Sequence, residues 1–255
     1  MSEIQNDGPA AFFQAQRKSF DKALQGWRHD ERLIQVLVSQ AVDNYEQNAA
    51  IQAAGQPAHD CAKGCETCCC LRVVATAPEI FLARQFIRVT ASAYAKVDID
   101  LAKRLAEAQA ATDGQSEQTR MQSRHLCPFI IEGACAIYVA RPLACRGHIS
   151  FDRDACISAA QGEDIEVPTS AAHRTVRSLV QNAMQASMRD AGLGWGVYEF
   201  LAALNRALQD DTCEARWRGG EDVFSDLRLG DVDLEDMAAT FDELSQAAEP
   251  ARQDA

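Results

Sequence analysis

The sequence lacks any run of about eighteen uninterrupted apolar residues, the length a membrane-spanning helix needs. It is short of positive charge, with 25 Lys and Arg against 37 Asp and Glu and a net charge of −12. General affinity for nucleic acid or for an anionic membrane needs a basic face, so neither partner is expected. The opening Met1-Ser-Glu-Ile-Gln-Asn-Asp-Gly has no basic stretch followed by an apolar one, which argues against a signal or transit peptide. A cytoplasmic protein is the expectation, in a compartment where structural disulfides are rare. There is no internal repeat, no Gly-rich phosphate loop, no Ser/His/Asp constellation in a recognisable context, and no alternation of strand with helix. Those absences set aside the common nucleotide-binding and hydrolase architectures.

Hydrophobic residues make up 47% and charged residues 24% of 255 positions, enough for one sizeable core. The acidity is uneven. Gly219–Ala255 carries 11 Asp and Glu against 2 Arg, which reads as a solvated face or tail, with docking to a basic protein partner as the alternative.

Apolar positions from Phe13 to Tyr45 recur at helical spacing, so residues 10–54 are read as one or two helices. Gly55–Asp60 breaks that pattern. Leu71–Ala75 is a short extended candidate, and Thr76-Ala-Pro-Glu79 is a capping box that opens a helix through Ile87. A further helix is expected over about 93–111, then a polar, mobile linker at 112–117. Cys127–Tyr138 has the pattern of a tight hairpin turning at Glu132-Gly133. A helical turn follows around Asp154–Ala160. Val167–Ser170 starts a long helix to about Arg189, stopped by Gly192 and Gly194. Trp195–Leu208 and Asp233–Ala248 complete the helices, the last with Leu234, Met237, Phe241 and Leu244 on one side. The fold class is mainly α, a helical protein around a small irregular, partly β-hairpin cysteine-cluster centre. Three segments are expected: helices at 1–57, a cysteine-cluster metal-binding domain at 58–160, and a helical region with an acidic tail at 161–255.

Cysteine is the residue present in excess. Five of the ten fall within Cys61-Ala-Lys-Gly-Cys65-Glu-Thr-Cys68-Cys69-Cys70, and Cys127, Cys135, Cys145 and Cys156 follow within ninety residues. Disulfides are disfavoured by a reducing compartment and by the awkward geometry of three adjacent cysteines. Thiolates three or four residues apart on a tight loop can converge on one ion, and thiolate suits zinc, iron or an iron–sulfur cluster. Gly64 permits the sharp turn, while a hairpin and a Pro turn hold Cys127, Cys135 and Cys145. The candidate ligands are Cys61, Cys65, Cys68, Cys69, Cys127, Cys135 and Cys145. Seven is too many for one tetrahedral ion and one short of two closed four-cysteine sites. Cys70, Cys156, His59 or His148 would supply the difference. Cys213 is read as a buried apolar thiol.

Cys61-x3-Cys65-x2-Cys68-Cys69, Cys127-Pro-Phe, Cys135-x-Ile-Tyr and Arg141-Pro-x-x-Cys145-Arg146 resemble the YkgJ-type cysteine-cluster family, described as a zinc- or iron-chelating domain. The resemblance covers roughly residues 58–160, and Pro128, Ile137, Tyr138, Arg141, Pro142 and Arg146 agree along with the cysteines. It implies metal binding more firmly than any reaction. A similar cluster occurs in flagellin lysine N-methylase, which implies that such a domain can support an enzyme modifying another protein or a small molecule. Cys61-x3-Cys65-x2-Cys68 also has the spacing of radical S-adenosylmethionine enzymes. The residue before the last cysteine is Thr67 rather than an aromatic, and alternating strands and helices do not follow. A thiol oxidoreductase is third, because its Cys-x-x-Cys sits on a βαβ pattern missing here. Around the cysteines, Arg141 and Arg146 either lower thiol pKa values or bond to cluster sulfurs, or else pair with Asp152 and Asp154. Tyr138 is expected to pack under the hairpin, and Trp195–Leu201 to belong to the core.

Overall fold

A computed structural model describes residues 8–230 and 232–247. Helix α1 (Gly8–Trp27) buries Phe13, Gln16, Phe20, Ala23 and Leu24, spaced by three, four and seven along one stripe. Asp30 then accepts a bond from the Arg32 amide at 2.9 Å and turns the chain into α2 (Leu33–Gln52). This second stripe runs from Leu33 through Leu37, Ala41 and Tyr45 to Ala49. Both helices lie on α8 (Ala171–Asp190), which buries Val176, Val180 and Gln181 and then every residue from Ala183 to Met188. The Ser170 hydroxyl caps α8 by accepting from His173 N. Gly192, at φ +67°, ends it, since that left-handed conformation strains any residue with a Cβ.

The acidic helix α11 (Leu234–Ala247) closes this layer. Phe241, fully buried, meets Phe13 at 6.3 Å and Trp195 at 5.7 Å between ring centroids, and Arg189 holds Asp242 at 2.7 Å. Part of the acidic segment is thus packed on the body. Residues 248–255 of the expected tail lie outside the described residues.

A second layer contains α3 (Ala77–Ala95), α4 (Leu101–Thr112) and α9 (Phe200–Gln209), joined to the first where α2 meets α3. Here Phe81 meets Trp217 and Phe224, and Phe224 meets Tyr198, at 5.4–5.6 Å between ring centroids, with Trp217 supplied by α10 (Cys213–Arg218). One hydrophobic cluster spans both layers and takes residues from all three sequence segments. The short helices α5 (Glu117–Ser123), α6 (Leu143–Gly147) and α7 (Arg153–Ala160) lie around the cysteine region. The mainly α fold with small hairpins is as expected, and no helix among the described residues is long and apolar enough to cross a membrane.

Several boundaries differ from expectation. The helix placed at 93–111 is the end of α3 followed by a separate α4. Asp98 adopts φ +57°, and the Asp100 carboxylate accepts from Lys103 N at 3.0 Å, so a side-chain cap starts a new helix. The linker at 112–117 is short because Ser116 caps α5 through Thr119 N at 3.1 Å. The helix expected from Trp195 begins at Phe200. Tyr198–Glu199 forms strand β4, antiparallel to β1 (Val74–Ala75) in the register Val74↔Glu199 and Ala75↔Tyr198. Glu199 then caps α9 through Ala202 N at 2.7 Å. Trp195–Leu201 does lie on or in the core, with Tyr198, Phe200 and Leu201 buried.

Candidate metal centre

The loop Cys61–Cys70 is tied down at both ends. Asp60 N donates to Ser150 O at 3.1 Å, and Ser150 N donates to Cys61 Sγ at 3.3 Å. Gly64, at φ +90°, lets Cys65 N reach Ala62 O at 3.0 Å. Thr67–Cys70 then winds into one 3-10 turn. At the far end Cys127 N donates to Cys69 O at 2.8 Å, so the first cysteine loop is stitched by backbone to the second set.

That second set stands on rigid supports. Phe129, fully buried, packs on Phe200 at 6.3 Å, and Arg104 bonds Pro128 O at 2.8 Å and Ile130 O at 3.1 Å. Strands β2 (Ile130–Ile131) and β3 (Ala134–Cys135) pair as Ile130↔Cys135 and Ile131↔Ala134. Glu132 and Gly133 have φ of +48° and +73°, the two positive values that a two-residue hairpin turn needs. A Cβ on Gly133 would stand 3.7 Å from Gly64 Cα, so the hairpin tip lies over the turn of the first loop. Cys145 is carried by α6. Leu143 N, at the start of that helix, donates to Glu79 Oε1 at 2.7 Å. Glu79 is 1% exposed, and its Oε2 accepts from Thr76 N, Thr76 Oγ1 and Gln181 Nε2. The capping box was visible in the sequence, but its use as a brace for Cys145 was not. The Ser150 contact with Cys61 was also missed, and no local signal announces it.

The thiols gather in two overlapping neighbourhoods. Cys61 is within electrostatic range of Cys68, Cys65 and Cys156, and Cys68 shares a hydrogen bond with Cys69. Cys145 feels Cys127, Cys135 and, from the first loop, Cys68. Burial pushes up the thiols of Cys61, Cys127, Cys135 and Cys145, Cys127 to about 12. Cys68 is pushed up by its bond to Cys69 and then by burial. Such thiols hold their protons near neutral pH. A bound cation reverses the preference by stabilising thiolate.

The other candidates separate. Cys156 lies on α7, against the Thr67–Cys70 turn and close to Cys61. Cys70 is buried and its Sγ donates to Thr67 O at 3.3 Å. His59 is exposed and stands edge-on to His173 at 6.3 Å. The His148 imidazole is pushed down by burial and by Arg177 and Arg174. Cys213 is buried elsewhere, beside Asp210, with its thiol pushed up to about 11.

Two expectations about the neighbours change. Tyr138 does not pack under the hairpin. It is 56% exposed, with the Arg141 guanidinium 4.0 Å over its ring. Arg146 is buried against Glu46 at 2.7 Å and bonds Val139 O at 3.0 Å, while Asp152 caps α7 through Ala155 N at 2.8 Å. Arg141 lies close enough to lower the Cys68, Cys135 and Cys145 thiols.

Among the described residues no group of three or more His, Cys, Asp and Glu side chains already stands in an arrangement that would hold a metal ion. The donor chemistry nonetheless fits one. All seven candidate ligands are thiols outside any disulfide, drawn from two loops that touch. Beside them Arg141 Nε is buried with no acceptor among the described residues, as suits a donor to coordinated sulfur. Final convergence of the thiols would be left to the metal, whose binding free energy can organise its own ligands. Comparison with protein-family models, with curated proteins and with solved structures finds no match for the chain.

Proposed function

We propose that this chain is a metal-binding protein of the YkgJ-type resemblance, with a cysteine-ligated zinc or iron–sulfur site, working in a reducing, cytoplasmic compartment. The ligands are drawn from Cys61, Cys65, Cys68 and Cys69 on one loop and Cys127, Cys135 and Cys145 on the hairpin and α6. The observation that carries this reading is the backbone bond from Cys127 N to Cys69 O at 2.8 Å, which with the hairpin tip over Gly64 brings the second cysteine set against the first. Two cysteine sets about sixty residues apart in sequence have no packing reason to meet, because a small apolar residue would fill the same space. When bound, the metal would supply positive charge that keeps the thiolates deprotonated. The chain's own residues position the donors: Glu79 fixes the start of α6, Ser150 fixes Cys61, and the Glu132-Gly133 turn sets Cys135.

Anaerobic purification followed by metal analysis and a visible spectrum tests the reading. Stoichiometric metal is expected, lost in Cys61→Ser and in Cys127→Ser. A colourless protein with zinc selects zinc, and a brown one with charge-transfer absorption selects a cluster. Metal-free protein, or metal content unchanged in both variants, would show the reading to be wrong.

A further inference from the structure

We draw no further inference here: the strongest candidate, the side-chain cluster in which Cys156 of α7 lies against the Thr67–Cys70 turn, belongs to the metal centre already described.

Discussion

Replacing Glu79 by Gln removes one charge and almost no volume, yet it strikes the brace that joins α3, α8 and the start of α6. The carboxylate accepts four bonds: Leu143 N at 2.7 Å on Oε1, and Thr76 N at 2.8 Å, Thr76 Oγ1 at 2.7 Å and Gln181 Nε2 at 3.3 Å on Oε2. An amide offers only one oxygen. If that oxygen serves Leu143, the new NH2 confronts Thr76 N–H; if it flips, the NH2 confronts Leu143 N–H. The Thr76 hydroxyl can rotate and the Gln181 amide can flip, but neither backbone N–H can. One buried backbone donor is orphaned either way, at about 1–3 kcal/mol, and the bonds that survive lose their charge assistance, about 1 kcal/mol more. The sum, about 3 kcal/mol, corresponds to a fall in Tm of about 6–12 °C for a chain of this size. Urea unfolding followed by far-UV circular dichroism reads the loss as a lower midpoint at unchanged slope. Because Leu143 opens the helix that carries Cys145, the variant should also bind metal more weakly. A change under about 0.5 kcal/mol, the range of an ordinary surface substitution, would refute the brace.

Tyr45 gives a pH test. Burial raises its phenol from 10.0 to about 12, and its hydroxyl donates to Arg146 O at 2.7 Å. A folded-state pKa above the unfolded one contributes stability that is complete below pH 10 and lost as pH rises toward 12, about 3 kcal/mol by linkage. Tyr45→Phe should cost about 1 kcal/mol at neutral pH and flatten this alkaline limb, and an identical alkaline slope in both proteins would contradict the assignment. Gly133→Ala puts a Cβ on a residue at φ +73° and should destabilise the hairpin by about 1–2 kcal/mol, with weaker metal retention; unchanged urea midpoint and metal content would count against the turn's role. Cys70→Ala should keep wild-type metal content, since the Cys70 thiol bonds to Thr67 O, whereas metal loss would make Cys70 a ligand. Thiols pushed upward must release protons to bind zinc, so chelator-competition affinity should fall steeply between pH 7.5 and 6.5, by up to about tenfold for each thiol that ionises. A pH-independent affinity would mean that these thiols do not ligate.

The sequence by itself determined features that a residue shares with its near neighbours. The stripes of α1 and α2, the Ser170 cap, the Gly192 stop and the Glu132-Gly133 turn follow from side-chain period and from backbone angles favoured within one turn of chain. The clustering of cysteines was equally plain. Tertiary structure decided the rest. Tyr198–Glu199 left the helix because a strand more than a hundred residues earlier offered its backbone a partner, and Tyr138 turned outward because Arg141 stacks on it. Glu79 under Leu143, Ser150 on Cys61 and the hairpin tip over Gly64 join groups that no local preference connects. Pairing across such distances depends on which surfaces the packed helices bring face to face. Local propensity carries no record of that choice, so the two cysteine sets could be read from the chain while the way they meet could not.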